Sequence, residues 1–292
     1  MEAKQQTARM SAAALLTVFL WASAFPAVKY LLDYYSAQSV MLLRFLVASA
    51  ALAVIAFFQK ARLPELRDIP LFALGGFLGI FLYMWLFNTG TGMVPSGVSS
   101  FVIASSPVYS TLFSVTILKE KVELRCWAGV LVSLCGLVLI AVSQMNGFVM
   151  NAGVVMLIGA SVATSLYTVI QRHLMKTYTP VEATAFPIFF ATLFMMIFLP
   201  GLAREMPGVP LAANLITAYL GIFPAAIAYL SWGYALSKAQ RTAGVTVYLY
   251  LVPFVATLFA YLWLRETVSA LALLGGAVII LGMMISNGRR NR

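Results

Sequence analysis

Apolar residues in this chain come in runs of about twenty, separated by short polar connections rich in Lys and Arg. A run such as "AAALLTVFLWASAFPAVKYLL" is apolar on every side, whereas a helix of a water-soluble core carries one apolar stripe. About 20 predominantly apolar residues are needed to cross the hydrocarbon of a bilayer. Ten runs meet that length, at residues 11–32, 37–58, 69–90, 97–118, 125–143, 151–171, 181–200, 212–236, 242–264 and 269–286. The pattern predicts ten transmembrane helices.

Composition agrees with lipid as the solvent: 62% of the 292 residues are hydrophobic and 10% are charged, against about half and a quarter in ordinary soluble domains. The net charge of +10 would suggest nucleic acid if it were clustered, but it follows the loops. Lys4, Arg9, Lys60, Arg62, Arg67, Lys119, Lys121, Arg125, Arg172, Lys176, Lys238, Arg241, Arg289, Arg290 and Arg292 fall on one side of the predicted membrane. Arg204 and Arg265 fall on the other, with Lys29 and Arg44 in or near spans. This asymmetry puts both termini in the cytoplasm, as an even number of spans requires. The expected setting is a bacterial inner membrane. The expected partners are the lipid bilayer and a small-molecule substrate, without nucleic acid, for a monomer or, alternatively, a homodimer. The basic start followed by "ASA" has the look of a cleaved signal, but its removal would break the repeat described next. Cys126 and Cys135 lie nine residues apart in one predicted helix, on different faces, and read as packing residues.

"SPVYSTLFSVTILKEKV", 106–122, returns as "VPFVATLFAYLWLRETV", 252–268, with seven of seventeen positions identical. A shift of 146 also brings Gly75 onto Gly221, Tyr83 onto Tyr229, Gly129 onto Gly275 and Gly136 onto Gly282. In the first spans of each half a shift near 143 fits better. Two repeats are therefore expected, at 1–146 and 147–292, with five spans each. An odd number of spans turns the second repeat upside down, an arrangement common among secondary transporters, where two similar halves pack in two ways and give alternating access. The predicted fold is an all-α integral membrane protein of ten helices in two inverted five-helix repeats.

Ten spans as five plus five, the first-helix "LWASAFPAVKYLL", the "LLRFL" of the second span and the paired proline-to-glutamate elements resemble the drug/metabolite transporter superfamily. Within it the chain is similar to the bacterial EamA-type exporters. The resemblance implies export of amino acids, related metabolites or toxic amphiphiles from a central cavity between the halves. Ala22 follows Trp21 where that family often has glycine.

At helical spacing Ser100, Ala104, Pro107 and Thr111 share a face of the fourth span, and Thr246, Tyr250, Pro253 and Thr257 share the equivalent face of the ninth. Proline removes a backbone donor and frees a carbonyl one turn earlier, which is tolerated at membrane depth where protein or a wet cavity receives it. Small residues also serve close helix packing. The repetition favours cavity lining for Ser100, Ala104, Thr111, Thr246 and Tyr250. Trp21, Phe25, Tyr83, Tyr167, Tyr229 and Trp232 supply mid-span rings for stacking, hydrogen bonding or cation–π contact. The copies differ at Ala104/Tyr250 and Ser106/Val252, where specificity is expected.

No acidic residue lies deep in a predicted span, and the single histidine, His173, lies at a cytoplasmic end. Intramembrane acids mark proton coupling, so gradient-driven export or exchange is expected, with Glu120, Glu266 or Asp33 as the alternative coupling groups. Lys29 and Arg44 need partners or a route to the interface. Asp33 is the nearest candidate, and a substrate carboxylate is the other. Pro107 and Pro253 are expected to flex the cavity wall, with Glu120 and Glu266 closing opposite ends. No set of residues suits a metal or another cofactor, and a serine nucleophile in "SGVSS" would lack a base, so an enzyme is not expected. The expected cargo is a small amphipathic or zwitterionic metabolite, with amino acids or their derivatives foremost. A toxic-cation exporter and a channel-like facilitator are the alternatives.

Overall fold

A computed structural model describes residues 2–94, 96–144, 152–264 and 270–287. The described residues form ten helical spans: α1 (Glu2–Leu31), α2 (Ala37–Phe58), α3 (Ile69–Met93), α4 (Ser96–Ile103 and Ser106–Thr116), α5 (Leu124–Gln144), α6 (Ala152–Leu174), α7 (Glu182–Glu205), α8 (Leu211–Lys238), α9 (Thr242–Thr246, Val247–Tyr250 and Leu251–Leu264) and α10 (Ala270–Asn287). Six of them, α1, α2, α3, α6, α7 and α8, are each long and apolar enough to cross a membrane unaided. Phe57, Phe58, Leu131, Leu193, Ile197 and Leu215 face outward, as lipid-facing positions would. Small and hydroxylated residues fill the inside: Ala14, Ala48, Ser110, Ser133, Ser161, Ser165, Ala185 and Ala226 are buried. With no hydrophobic drive between helices in lipid, close backbone approach and hydroxyl bonds hold such a bundle.

The repeat is visible as a set of self-matching contacts. A Cβ on Gly129 of α5 would lie 2.6 Å from the carbonyl oxygen of Gly282 on α10, and one on Gly136 would lie 2.6 Å from that of Gly275. These four glycines are two repeat-related pairs, and each touches the other pair's member. As residue numbers rise along α5 the contacts on α10 fall, so the two helices run antiparallel. Ser133 Oγ donates to the Ile279 carbonyl at 3.3 Å, and these two residues are 146 apart. Ser49 Oγ meets Thr192 Oγ1 at 2.8 Å between α2 and α7, and these are 143 apart. A residue in contact with its own repeat equivalent sits on a two-fold axis, so both pairs mark the axis relating the inverted halves. Around it α1 packs on α8 and α9 as α6 packs on α3 and α4.

Five helices depart from regular geometry: α7 narrows to a 3-10 turn at Met196–Phe198, and the other four form equivalent pairs. α3 carries a π-helical segment at Phe77–Leu82 and α8 one at Gly221–Ile227. α4 breaks at Ala104 and Ser105, and α9 narrows to a 3-10 helix at Val247–Tyr250. Pro107 and Pro253 each follow the irregularity and stand in the first turn of the helix beyond it, where a missing N–H costs nothing. The prolines therefore each stand at the start of a second helix piece. Carbonyls at the α4 break find serine hydroxyls: Ser161 Oγ donates to Val102 O at 3.0 Å and Ser165 Oγ to Ser106 O at 2.9 Å.

Candidate functional site

The irregular segments converge on a small cavity of about 60 Å³ in the middle of the bundle. Its wall takes Trp21, Ala24 and Phe25 from α1, Arg44 from α2, and Tyr83, Met84 and Phe87 from α3. Ile103, Ala104 and Ser106 come from α4, Thr164 from α6, Tyr229 from α8, and Leu249 and Val252 from α9. Both tyrosines follow a π-helical segment. An extra residue per turn rotates the helix beyond it by about 100° relative to α geometry, which sets the face on which Tyr83 and Tyr229 emerge. Trp21 is fixed by its indole N–H, which donates to the Pro224 carbonyl within the α8 π-helix at 3.0 Å. Its ring packs on Tyr229 at 5.3 Å and on Trp232 at 5.6 Å. Phe25 and Phe87 meet edge to face at 5.5 Å, and Phe87 stacks on Tyr83 at 5.7 Å.

The sequence-derived candidates divide. Trp21, Phe25, Tyr83, Ala104 and Tyr229 line the cavity. Six others lie outside the lining. Ser100 is buried in α4. Thr111 bonds back to Pro107 O at 2.7 Å. Tyr167 lies beneath Gly79 and beside Tyr229, at 6.5 Å between rings. Trp232 backs Trp21, Thr246 lies over the Ala243 carbonyl, and Tyr250 is fully buried. The shared-face argument assumed unbroken helices: the break at Ala104 and Ser105 separates Thr111 from Ala104's face, and the 3-10 segment of α9 alters that of Thr246 and Tyr250, whereas Ser100 stays one helical turn before Ala104, with Ala104 N donating to Ser100 O at 3.0 Å, and is buried outside the lining. The lining also includes Met84, Phe87 and Ser106. Phe87 stands one turn beyond Tyr83, a spacing that could have marked it.

Arg44 requires a correction. The expected Asp33 partner is exposed at the end of α1, as is Lys29, and among the described residues no ion pair involves Lys29, Asp33 or Arg44. Arg44 lies two turns into α2, about 10 Å along the axis from Ala37, too deep to meet Asp33. It is 3% exposed. Its Nη1 points at Met84 Sδ at 3.9 Å, its Nε has no hydrogen-bond partner, and its guanidinium carbon lies 5.6 Å from the Phe45 ring centre.

The basic end of the bundle is tied across the two repeats. The Glu120 carboxylate accepts from Thr242 N and Thr242 Oγ1, both at 2.9 Å, at the first turn of α9. A carboxylate there also meets the positive end of the helix dipole. Arg172 Nε stands 3.5 Å from the same carboxylate, and its fork donates to the carbonyls of Leu236, Ala239 and Gln240 at the α8 end. Lys119, at φ 56°, takes the left-handed conformation that turns Glu120 inward. Beside this, Arg241 meets Glu123 at 2.7 Å, and the Arg241 hydrogen bond holds the Glu123 carboxyl below its usual range. Arg172 was legible in sequence as a loop cation only. Glu266, the repeat equivalent of Glu120, lies outside the described residues.

Comparison with known proteins places these features in a family. The model of the EamA-like transporter family matches the chain twice, at residues 9–142 and 151–288. A protein of Streptantibioticus cattleyicolor named "Probable terminal-alkyne amino-acid exporter" is 39% identical over 95% of this chain and 93% of its own. The "Uncharacterized transporter YdfC" of Bacillus subtilis is 33% identical over 99% of this chain and 94% of its own. One crystal structure superposes with a TM-score of 0.78 at 20% identity, covering 94% of this chain and 95% of the other, which supports the fold. The ten spans, the paired repeats and these matches make this chain a multi-pass membrane transporter of the EamA-like family.

Proposed function

We propose that the protein exports small amphipathic or zwitterionic metabolites, amino acids or amino-acid-derived compounds foremost, by alternating access through the central cavity. The observation that carries this reading is a mid-bundle cavity walled by aromatic rings, with one buried guanidinium that meets no counter-ion among the described residues. A relative named as an amino-acid exporter supports the cargo class. Arg44 also weighs against a toxic-cation exporter, because a cation entering the cavity meets a like charge in a poorly solvated setting. The positive-inside rule puts the basic end and both termini in the cytoplasm, in a bacterial inner membrane. The Glu120, Thr242 and Arg172 contacts then close the cytoplasmic side in this conformation. In this reading the moving units are the two repeats, 1–146 against 147–292.

The test is efflux from cells overproducing the protein, across amino acids, amino-acid-derived metabolites and cationic dyes, followed by counterflow in proteoliposomes. Saturable counterflow of an amino acid or derivative supports the reading, and ohmic conductance in its place would sink it. Trp21→Ala and Tyr229→Ala variants that reach the membrane should lose export. Normal export by both removes the cavity from the pathway.

A further inference from the structure

The cavity holds one ionisable cation, Arg44, and no Asp or Glu is part of its lining. A guanidinium buried to this degree is stable only when something neutralises it or water reaches it. Among the described residues nothing anionic does so: Met84 Sδ is a weak acceptor, Phe45 offers a ring, and Nε is unpartnered. The planar fork matches a carboxylate. Ile103, Leu249 and Val252 then offer an aliphatic wall, and Phe25 and Phe87 an aromatic one.

An α-ammonium group finds no anion in the lining, only ring faces such as those of Tyr83 and Phe87 for a weaker cation–π contact. It sits next to the carboxylate by covalent structure, so it is brought towards Arg44, and no lining acid offsets that repulsion. The Trp21 N–H is committed to Pro224 O. The hydroxyls of Ser106, Thr164, Tyr83 and Tyr229 accept from a neutral amide N–H as well as from an ammonium.

We propose that this cavity selects monocarboxylates with an apolar body through Arg44, and that the amine of an amino acid is not required for recognition. N-acylated and deaminated amino-acid derivatives are then substrates of the same site, and each turnover exports one negative charge. A membrane potential negative inside drives such export directly, so the cavity needs no titratable acid for coupling. The inference rests on the reading of this cavity as the transport site.

The experiment uses the full chain in proteoliposomes with four probes sharing a phenyl group: phenylalanine, N-acetylphenylalanine, 3-phenylpropanoate and phenethylamine. The two carboxylates without an ammonium should move at least as fast as phenylalanine, with phenethylamine about tenfold slower or worse. A potential negative inside should speed efflux of N-acetylphenylalanine. Arg44→Gln should cut carboxylate flux about tenfold or more, with partial retention in Arg44→Lys. The potential and four-probe flux measurements use the unmodified protein, so they stand even if Arg44→Gln fails to fold. Transport of phenylalanine with both ammonium-free carboxylates about tenfold slower would overturn this inference and leave the exporter reading intact. Rapid phenethylamine flux, or N-acetylphenylalanine efflux indifferent to potential, would overturn it too. No flux of any probe would remove the exporter reading with it.

Discussion

The α5–α10 seam and the central cavity use the repeat in opposite ways. In the seam, two repeat-related glycine pairs interlock around the axis, Gly129 touching Gly282 and Gly136 touching Gly275, while the equivalent residues Ser133 and Ile279 bond directly. In the cavity Tyr83 and Tyr229 keep the repeat, but other equivalent positions have parted. Ala104 lines the opening while Tyr250 is buried away from it, Ser106 stands opposite Val252 in the repeat, and Pro187 occupies the place of Arg44. Symmetry persists where two helices need one close fit, because any side chain added on one member collides with the other. It is lost where a single asymmetric molecule must be held. The residues that read cargo are therefore found by subtracting one repeat from the other.

The largest effect should come from breaking the symmetric region. Gly129→Leu places a branched side chain where a Cβ alone would lie 2.5 Å from Ser286 N. Overpacking of this kind costs typically 1–3 kcal/mol, occasionally more, and backbone cannot yield as a flexible side chain does. The variant should fail to accumulate as a monodisperse species on size-exclusion chromatography in detergent. Wild-type behaviour would mean that the seam is looser than its geometry. Next is Ala104→Tyr, which imposes the second repeat's residue on the first. It should leave the fold intact and reduce transport of every substrate to background, because the ring projects into the cavity. Undiminished flux would separate Ala104 from the path.

The latch at the basic end lies between these extremes. Glu120→Gln keeps one acceptor oxygen for Thr242 N, replaces the other with an amide donor that Thr242 Oγ1 can accept, and removes the charge facing Arg172. Losing the charge-assisted share of this network should favour opening by about 1–2 kcal/mol. The readout is maleimide labelling of Ser110→Cys, a buried position on the inner half of α4, with Cys126 and Cys135 replaced by Ala. Labelling should rise in Glu120→Gln, and an unchanged rate would remove the latch. A smaller effect is expected from Glu123, whose carboxyl is held below its usual value of 4.5 chiefly by Arg241. A lowered pKa in the closed form means that its contribution is present above pH 4.5 and fades as pH falls through the lowered value. Acid should raise labelling slightly in the parent and less in Glu123→Gln.

Much of the architecture was written in the hydropathy pattern. The Gly129/Gly275 and Gly136/Gly282 identities located the seam, and the polar hydroxyls facing inward were recognisable by type. The site was less legible because periodicity presumes an unbroken helix. Thr111 shares Ala104's face only on paper, since the α4 break intervenes, and the π-helical segments reorient Tyr83 and Tyr229 in a way no 3.6-residue count contains. Arg44 looked like a residue needing Asp33 because sequence shows neighbours along the chain, not depth. Glu120 was visible as a repeated glutamate, but its partners Arg172 and Thr242 arrive from elements 52 and 122 residues away.

The smallest expected effect tests the comparison at its most asymmetric position. Tyr250 is fully buried, outside the cavity lining, and its hydroxyl has no hydrogen-bond partner among the described residues. A buried hydroxyl left unpaired carries its desolvation cost without return. Tyr250→Phe removes that oxygen and keeps the ring, so the thermal midpoint should stay level or rise, by the equivalent of about 1 kcal/mol at most. Transport should not change. If flux falls while the midpoint holds, the hydroxyl meets cargo or water in the inward-open form, and the second repeat's tyrosine takes part in the path on the side where the first repeat's alanine does not.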